Sequence, residues 1–118
     1  MKVLLVDDED ELVSALAERL SYRGIDATWV NNCLDAQALA ELNDYDLAVL
    51  DVKMPRMSGL ELKRRLQEKH PRMKFIFVTG HGSEDDFKEA SAEEGTYYLV
   101  KPINIEVLVA RMKEVLAK

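Results

Sequence analysis

The chain holds one cysteine, Cys33, only two histidines and no surplus of basic residues, and each shortage narrows what it can do. A single thiol cannot close an internal disulfide, so covalent cross-links do not hold the fold and a reducing compartment is expected. Sixteen Lys and Arg against 22 Asp and Glu leave a net charge of −6. Gripping nucleic acid needs clustered Lys and Arg against phosphate, so direct nucleic-acid binding by this domain is not expected. No apolar run approaches the roughly 18 residues of a membrane span. The opening Met1-Lys2-Val3-Leu4-Leu5-Val6-Asp7 is short and turns acidic too early for a signal peptide. With neither feature, no membrane partner is expected and the cytoplasm is the expected location. No repeat, low-complexity segment or linker interrupts the 118 residues, which predicts one domain over 1–118 with a real core.

What is present is alternation. Apolar runs at 2–6, 46–50 and 75–78 read as buried strands, and Tyr97-Tyr98-Leu99-Val100 as a fifth strand. The run Ile25-Asp26-Ala27-Thr28-Trp29-Val30 carries polar interruptions and suits a sheet edge. Between them lie helical patterns. Leu12, Leu16 and Leu20 share a face after a cap at Asp10 or a neighbour, and Gly24 closes that helix. Asn31 and Asn32 cap a helix over 33–42 that packs through Ala36, Leu39 and Leu42. Ser58-Gly59-Leu60-Glu61 has capping-box spacing for a helix over 59–69, closed by His70-Pro71. Ser83 can cap a helix thin in apolar anchors, chiefly Phe87 and Ala90, and 104–117 forms the last helix with Ile105, Leu108, Met112 and Val115 inward. Val107 and Val109 widen its apolar stripe and hint at an interface. Five βα repeats predict a parallel, doubly wound (βα)5 sheet of flavodoxin-like type. Central strands 1, 3 and 4 beside an edge strand 2 match the order 2-1-3-4-5.

In such a sheet, ligands bind beyond the carboxyl ends of the strands. Those tips carry Asp7 and Asp8, Asp51, Thr79 and Lys101. Clustered carboxylates repel by ~1 kcal/mol per pair in water and ~4 at an effective dielectric of 20, so the group calls for a cation. Oxygen ligands without His or Cys favour a hard ion such as magnesium. A carboxylate nucleophile, a hydroxyl, an ammonium and a metal make a complete set for phosphoryl transfer onto Asp51.

These five separated motifs, in this order over essentially the whole chain, resemble the receiver domain of bacterial two-component response regulators. The resemblance implies a phosphorelay domain that catalyses only its own phosphorylation and dephosphorylation. Asp51 resembles the phosphoacceptor. Asp8, Asp51 and the main-chain carbonyl of Lys53 resemble the magnesium ligands, with Asp7 assisting through water. Thr79 resembles the hydroxyl that meets the phosphoryl oxygens, and Lys101 the phosphate-binding lysine ahead of a cis-proline. Tyr98 resembles the aromatic switch that turns inward as Thr79 moves. A sensor histidine kinase or phosphotransferase docking on the first helix is implied, as are a downstream effector or fused output domain and homodimerisation on activation. The modification would reshape the 84–118 face. Gly80 departs from the alanine more usual in the family, and Lys53 and His81 stand at positions that, the resemblance implies, vary and tune phosphoryl lifetime.

Blander readings stand beside these. The acidic run Asp7-Asp8-Glu9-Asp10 alone is a solvated helix start, Lys101-Pro102 alone a turn, and Asp51 alone an N-cap. Their agreement on consecutive strand tips outweighs the separate readings. His70 reads as an exposed loop residue, Cys33 as a small residue at a helix start, and Met54 and Met57 as loop packing. A phosphatase of the haloacid dehalogenase class would need a second acid where Lys53 stands, and a flavin protein a Ser/Thr/Gly-rich loop where the acids stand. A receiver that binds partners without phosphorylation is the stronger alternative.

Overall fold

Alternation along each strand decides the architecture. Leu4, Val6, Ala48, Leu50, Phe75 and Phe77 point to one side of the sheet, and Val3, Leu5, Leu47, Val49, Ile76 and Val78 to the other. All twelve are buried, as strands covered on both faces must be. The computed structural model describes residues 1–80 and 97–118. Among these, β1 (Lys2–Val6), β2 (Asp26–Val30), β3 (Leu47–Asp51), β4 (Lys74–Thr79) and β5 (Tyr97–Val100) form one parallel sheet in the order 2-1-3-4-5. This is the flavodoxin-like, doubly wound α/β fold. The expected helix after Ser83, with Phe87 and Ala90, and the loop residue His81 lie outside the described residues.

Helices α1 (Asp10–Ser21) and α4 (Ile105–Leu116) cover one face through Val13, Leu16, Ala17, Leu20, Leu108, Met112 and Val115. Helices α2 (Cys33–Leu42) and α3 (Gly59–Lys69) cover the other through Cys33, Ala36, Ala40, Leu62 and Leu66. The caps follow the sequence. Asn32 Oδ1 accepts from Asp35 N at 2.8 Å, and Ser58 Oγ accepts from Glu61 N at 3.2 Å. Asn104 Oδ1 accepts from the amides of both Glu106 and Val107. Gly24 has φ 77°, the left-handed turn after α1.

Three expectations need correction. Leu42 is 83 % exposed, because a three-turn helix packed on a sheet buries a narrow stripe, here Cys33, Ala36 and Ala40. Ile105 is only half-buried, packing against the rim of the core from the first turn of α4. The cap position expected at Asp10 or a neighbour does fall at Glu9, without a side-chain cap bond. His70 is not a free loop residue: its Nε2 lies 2.7 Å from the Ala40 carbonyl oxygen and its Nδ1 3.6 Å from Asp44 Oδ1. That contact ties the end of α3 to α2. The sequence distance of thirty residues hides it.

Candidate functional site

Strand register brings the site together. Val6 pairs with Leu50, so Asp7 and Asp51, each one residue further on, come level at the sheet's carboxyl edge. Asp51 pairs with Val78 and Thr79 with Val100, which carries Thr79 and Lys101 to the same edge. The amide of Lys101 donates to the Thr79 carbonyl at 2.8 Å, fixing the end of β5 against β4. The Lys101–Pro102 peptide bond is cis.

The ammonium of Lys101 sits among carboxylates. Its Nζ lies 3.1 Å from Asp7 Oδ2, 3.1 Å from Glu9 Oε1 and 3.5 Å from Asp51 Oδ2. The side chains of Asp7, Asp51 and Lys101 are 7 %, 6 % and 15 % exposed, so their charges interact in a poorly screened setting. Carboxylate oxygens of Asp7, Asp8 and Asp51 all lie within 4.8 Å of one another, and Asp8 is exposed on the outer side. Burial pushes the Asp51 carboxyl up to about 6; the Asp7 charge adds to the rise, while Lys101 and the Lys53 amide hold it down. That amide donates to Asp51 Oδ1 at 3.3 Å. Burial likewise raises Asp7, against the Glu9 amide donating to its Oδ1 at 2.9 Å. Burial alone would pull the Lys101 ammonium down, but its pairing with Asp7, Glu9 and Asp51 outweighs that and the net direction is up.

Thr79 is fully buried, and its Oγ1 has no hydrogen-bond partner among the described residues. A buried hydroxyl without a partner is disfavoured, and this one stands at the strand tip next to Asp51. The three acids, offering only oxygen, suit a hard divalent cation. The loop after Asp51 is held close. Gly59 N donates to the Val52 carbonyl at 2.9 Å, and a Cβ at Gly59 would fall on the main-chain oxygen of Asp51. Arg56 turns the loop at φ 71°.

A family model described as response regulator receiver domain matches residues 3–113. The chain belongs to the response regulator receiver family. Over 118 residues this receiver is 38 % identical to the transcriptional regulatory protein CpxR of Klebsiella pneumoniae, covering 99 % of the chain but 50 % of that protein. It is 35 % identical to the sensor kinase CckA of Brucella abortus, of which it covers 12 %. The receiver thus spans half or less of these relatives. Among solved structures, a chemotaxis protein of Vibrio cholerae superposes with a TM-score of 0.86 at 28 % identity, covering 97 % of both chains. A receiver domain protein of Clostridium thermocellum superposes at 0.88 with 26 % identity, covering 98 % of this chain and 94 % of its own.

Asp7, Asp8, Asp51 and Lys101, selected from the sequence, therefore meet, and Thr79 stands at the same edge. Lys53 reaches the site through its main chain, while its side chain is exposed. Tyr98 is half-buried and packs against the core beneath α2 and α3. Glu9 was read only as part of an acidic run, yet it contacts Lys101. The available signal was its place two residues after Asp7, where the chain turns back from strand to helix.

Proposed function

We propose that Asp51 accepts a phosphoryl group from the phosphohistidine of a sensor kinase or phosphotransferase, in the cytoplasm, and that the modified domain signals to a downstream effector or fused output domain. The observation that carries this reading is a 6 % exposed carboxylate at a buried strand tip, facing an ammonium at 3.5 Å within a group of three acids. An Asp51 oxygen forms the bond to phosphorus as the donor P–N bond breaks, and the electron pair leaves with the imidazole. Lys101 balances charge on the transferring oxygens, and Thr79 Oγ1 offers a buried hydroxyl with no competing partner among the described residues.

The same residues fit magnesium: the carboxylates of Asp7, Asp8 and Asp51 with the main-chain carbonyl of Lys53 would hold it. When bound, it supplies positive charge beside the phosphoryl oxygens. Thr79 and Tyr98 form the switch. The modified state draws the Thr79 hydroxyl and Lys101 toward Asp51, and Tyr98 turns inward on the core it already touches. The response reaches β5 and α4, and homodimerisation through that face belongs to the same proposal. A phosphoryl group shifts such an equilibrium only by its differential affinity for the two states.

The test is mass spectrometry after incubation with magnesium and acetyl phosphate. One phosphoryl adduct is expected on the wild type and none on Asp51→Asn. No adduct on wild type, with a phospho-donor kinase also tried and metal binding verified, would turn the reading to a partner-binding module that works without phosphorylation.

A further inference from the structure

We propose that Glu9 is a positioning residue that holds Lys101 back from Asp51 in the unmodified protein, setting how readily the site takes up a phosphoryl group. The inference rests on the reading of Asp51 as phosphoacceptor. An ammonium has three donors, and Lys101 faces three carboxylates. Two of the partners, Asp7 and Glu9, are at 3.1 Å, and Asp51 is the farthest at 3.5 Å. Lys101 in this state is drawn toward the β1–α1 turn rather than toward the residue to be modified.

The two nearer partners differ in kind. Asp7 is buried and belongs to the acid group that can hold a cation. Glu9 lies outside that group and has a side chain 61 % exposed. Its own amide donates to Asp7 Oδ1, which fixes the backbone from which the carboxylate reaches Lys101. When a cation draws on Asp7, the Glu9 carboxylate remains as the tether that competes with phosphoryl oxygens for Lys101. Glu9 makes no side-chain bond to the first turn of α1, so removing its charge leaves the cap as it was.

Beryllofluoride, which ligates a carboxylate oxygen in the shape of a phosphoryl group, is the probe, titrated with magnesium present and followed by 19F NMR. Exposed ion pairs are worth little, so Glu9→Gln is expected to bind it about two- to fivefold more tightly than wild type at low salt. The ratio of the two affinities should fall toward one near 1 M salt, where screening acts within ~3 Å. Glu11→Gln removes the same charge from the exposed first turn of α1, away from Lys101, and is expected to show no such gain. Equal affinity of wild type and Glu9→Gln, a ratio indifferent to salt, or an equal gain in Glu11→Gln would each overturn the proposal. Wild-type protein that takes neither beryllofluoride nor a phosphoryl group would instead defeat the phosphoacceptor reading, and the tether with it.

Discussion

Asp51 is held where its charge is unwelcome, and pH can relieve it. Its carboxyl titrates near 6 in the folded chain against 3.8 as an ordinary side chain. Between those values the folded state binds the proton that the unfolded state has released, so stability falls as pH rises through that window. The stabilisation is fully present below about pH 4 and gone above about pH 6. A rise of this size corresponds to at most ~3 kcal/mol. Asp51→Asn removes the charge at every pH. In metal-free protein it is expected to unfold at higher urea than wild type at pH 8, by roughly 1–3 kcal/mol, with the two curves converging near pH 4. Urea titrations in chelator at the two pH values measure this, and a variant less stable than wild type at pH 8 would contradict it. Asp7 is raised for the same reason and shifts wild-type stability in the same direction.

At the scale of the element, the β3–α3 connection separates holding a helix from placing a carboxylate. Ser58 caps α3 through its side chain, and Gly59 lets the first turn of α3 lie directly on the main chain of Asp51. Ser58→Ala loses one cap bond and is expected to cost about 1 kcal/mol without altering phosphorylation at Asp51. Gly59→Ala places a methyl group against backbone, with Val52 Cα only 3.1 Å away, so strand or helix must move. It is expected to cost about 1–3 kcal/mol and to slow adduct formation, read in parallel by denaturation and mass spectrometry. Equal adduct rates in wild type and Gly59→Ala would show that the close approach serves packing alone. The same connection shows what was legible in the sequence. The cap, the strand end and the Leu62–Leu66 stripe all follow from local pattern, as do the five strands, whereas their order comes from matching central strands 1, 3 and 4 and an edge strand 2 to a known arrangement. The bond from His70 to the Ala40 carbonyl and the reach of Glu9 to Lys101 depend on elements distant in the chain meeting at one point, and the Gly59–Asp51 approach and the left-handed Arg56 on the path of the β3–α3 loop in space. Residue pattern carries no distance of that kind, and an exposed acid in an acidic run looks like its neighbours.

Over the whole molecule, the sheet has a buried centre and a more exposed margin. β1, β3 and β4 each pair on both sides and are almost wholly buried, whereas every residue of β5 is half-buried and, among the described residues, pairs only with β4. Local opening draws on segments with few buried contacts, so β5 amides should exchange at least tenfold faster than those of the three central strands in the unmodified protein. The end of β5 carries Lys101, whose amide is bound to Thr79 and whose ammonium is shared among three acids. Once Lys101 meets a phosphoryl group on Asp51, the 3.5 Å ion pair that already links the end of β5 to β3 is replaced by a tighter contact, and opening β5 requires breaking it as well as the pairing with β4. Exchange in β5 is therefore expected to slow on addition of beryllofluoride and magnesium while the central strands, already limited by global unfolding, change less. Hydrogen-exchange mass spectrometry with peptides covering 74–80 and 97–101 reads both segments in one experiment. Protection of β5 equal to that of β4 before modification would place the yielding part of the switch elsewhere in the molecule.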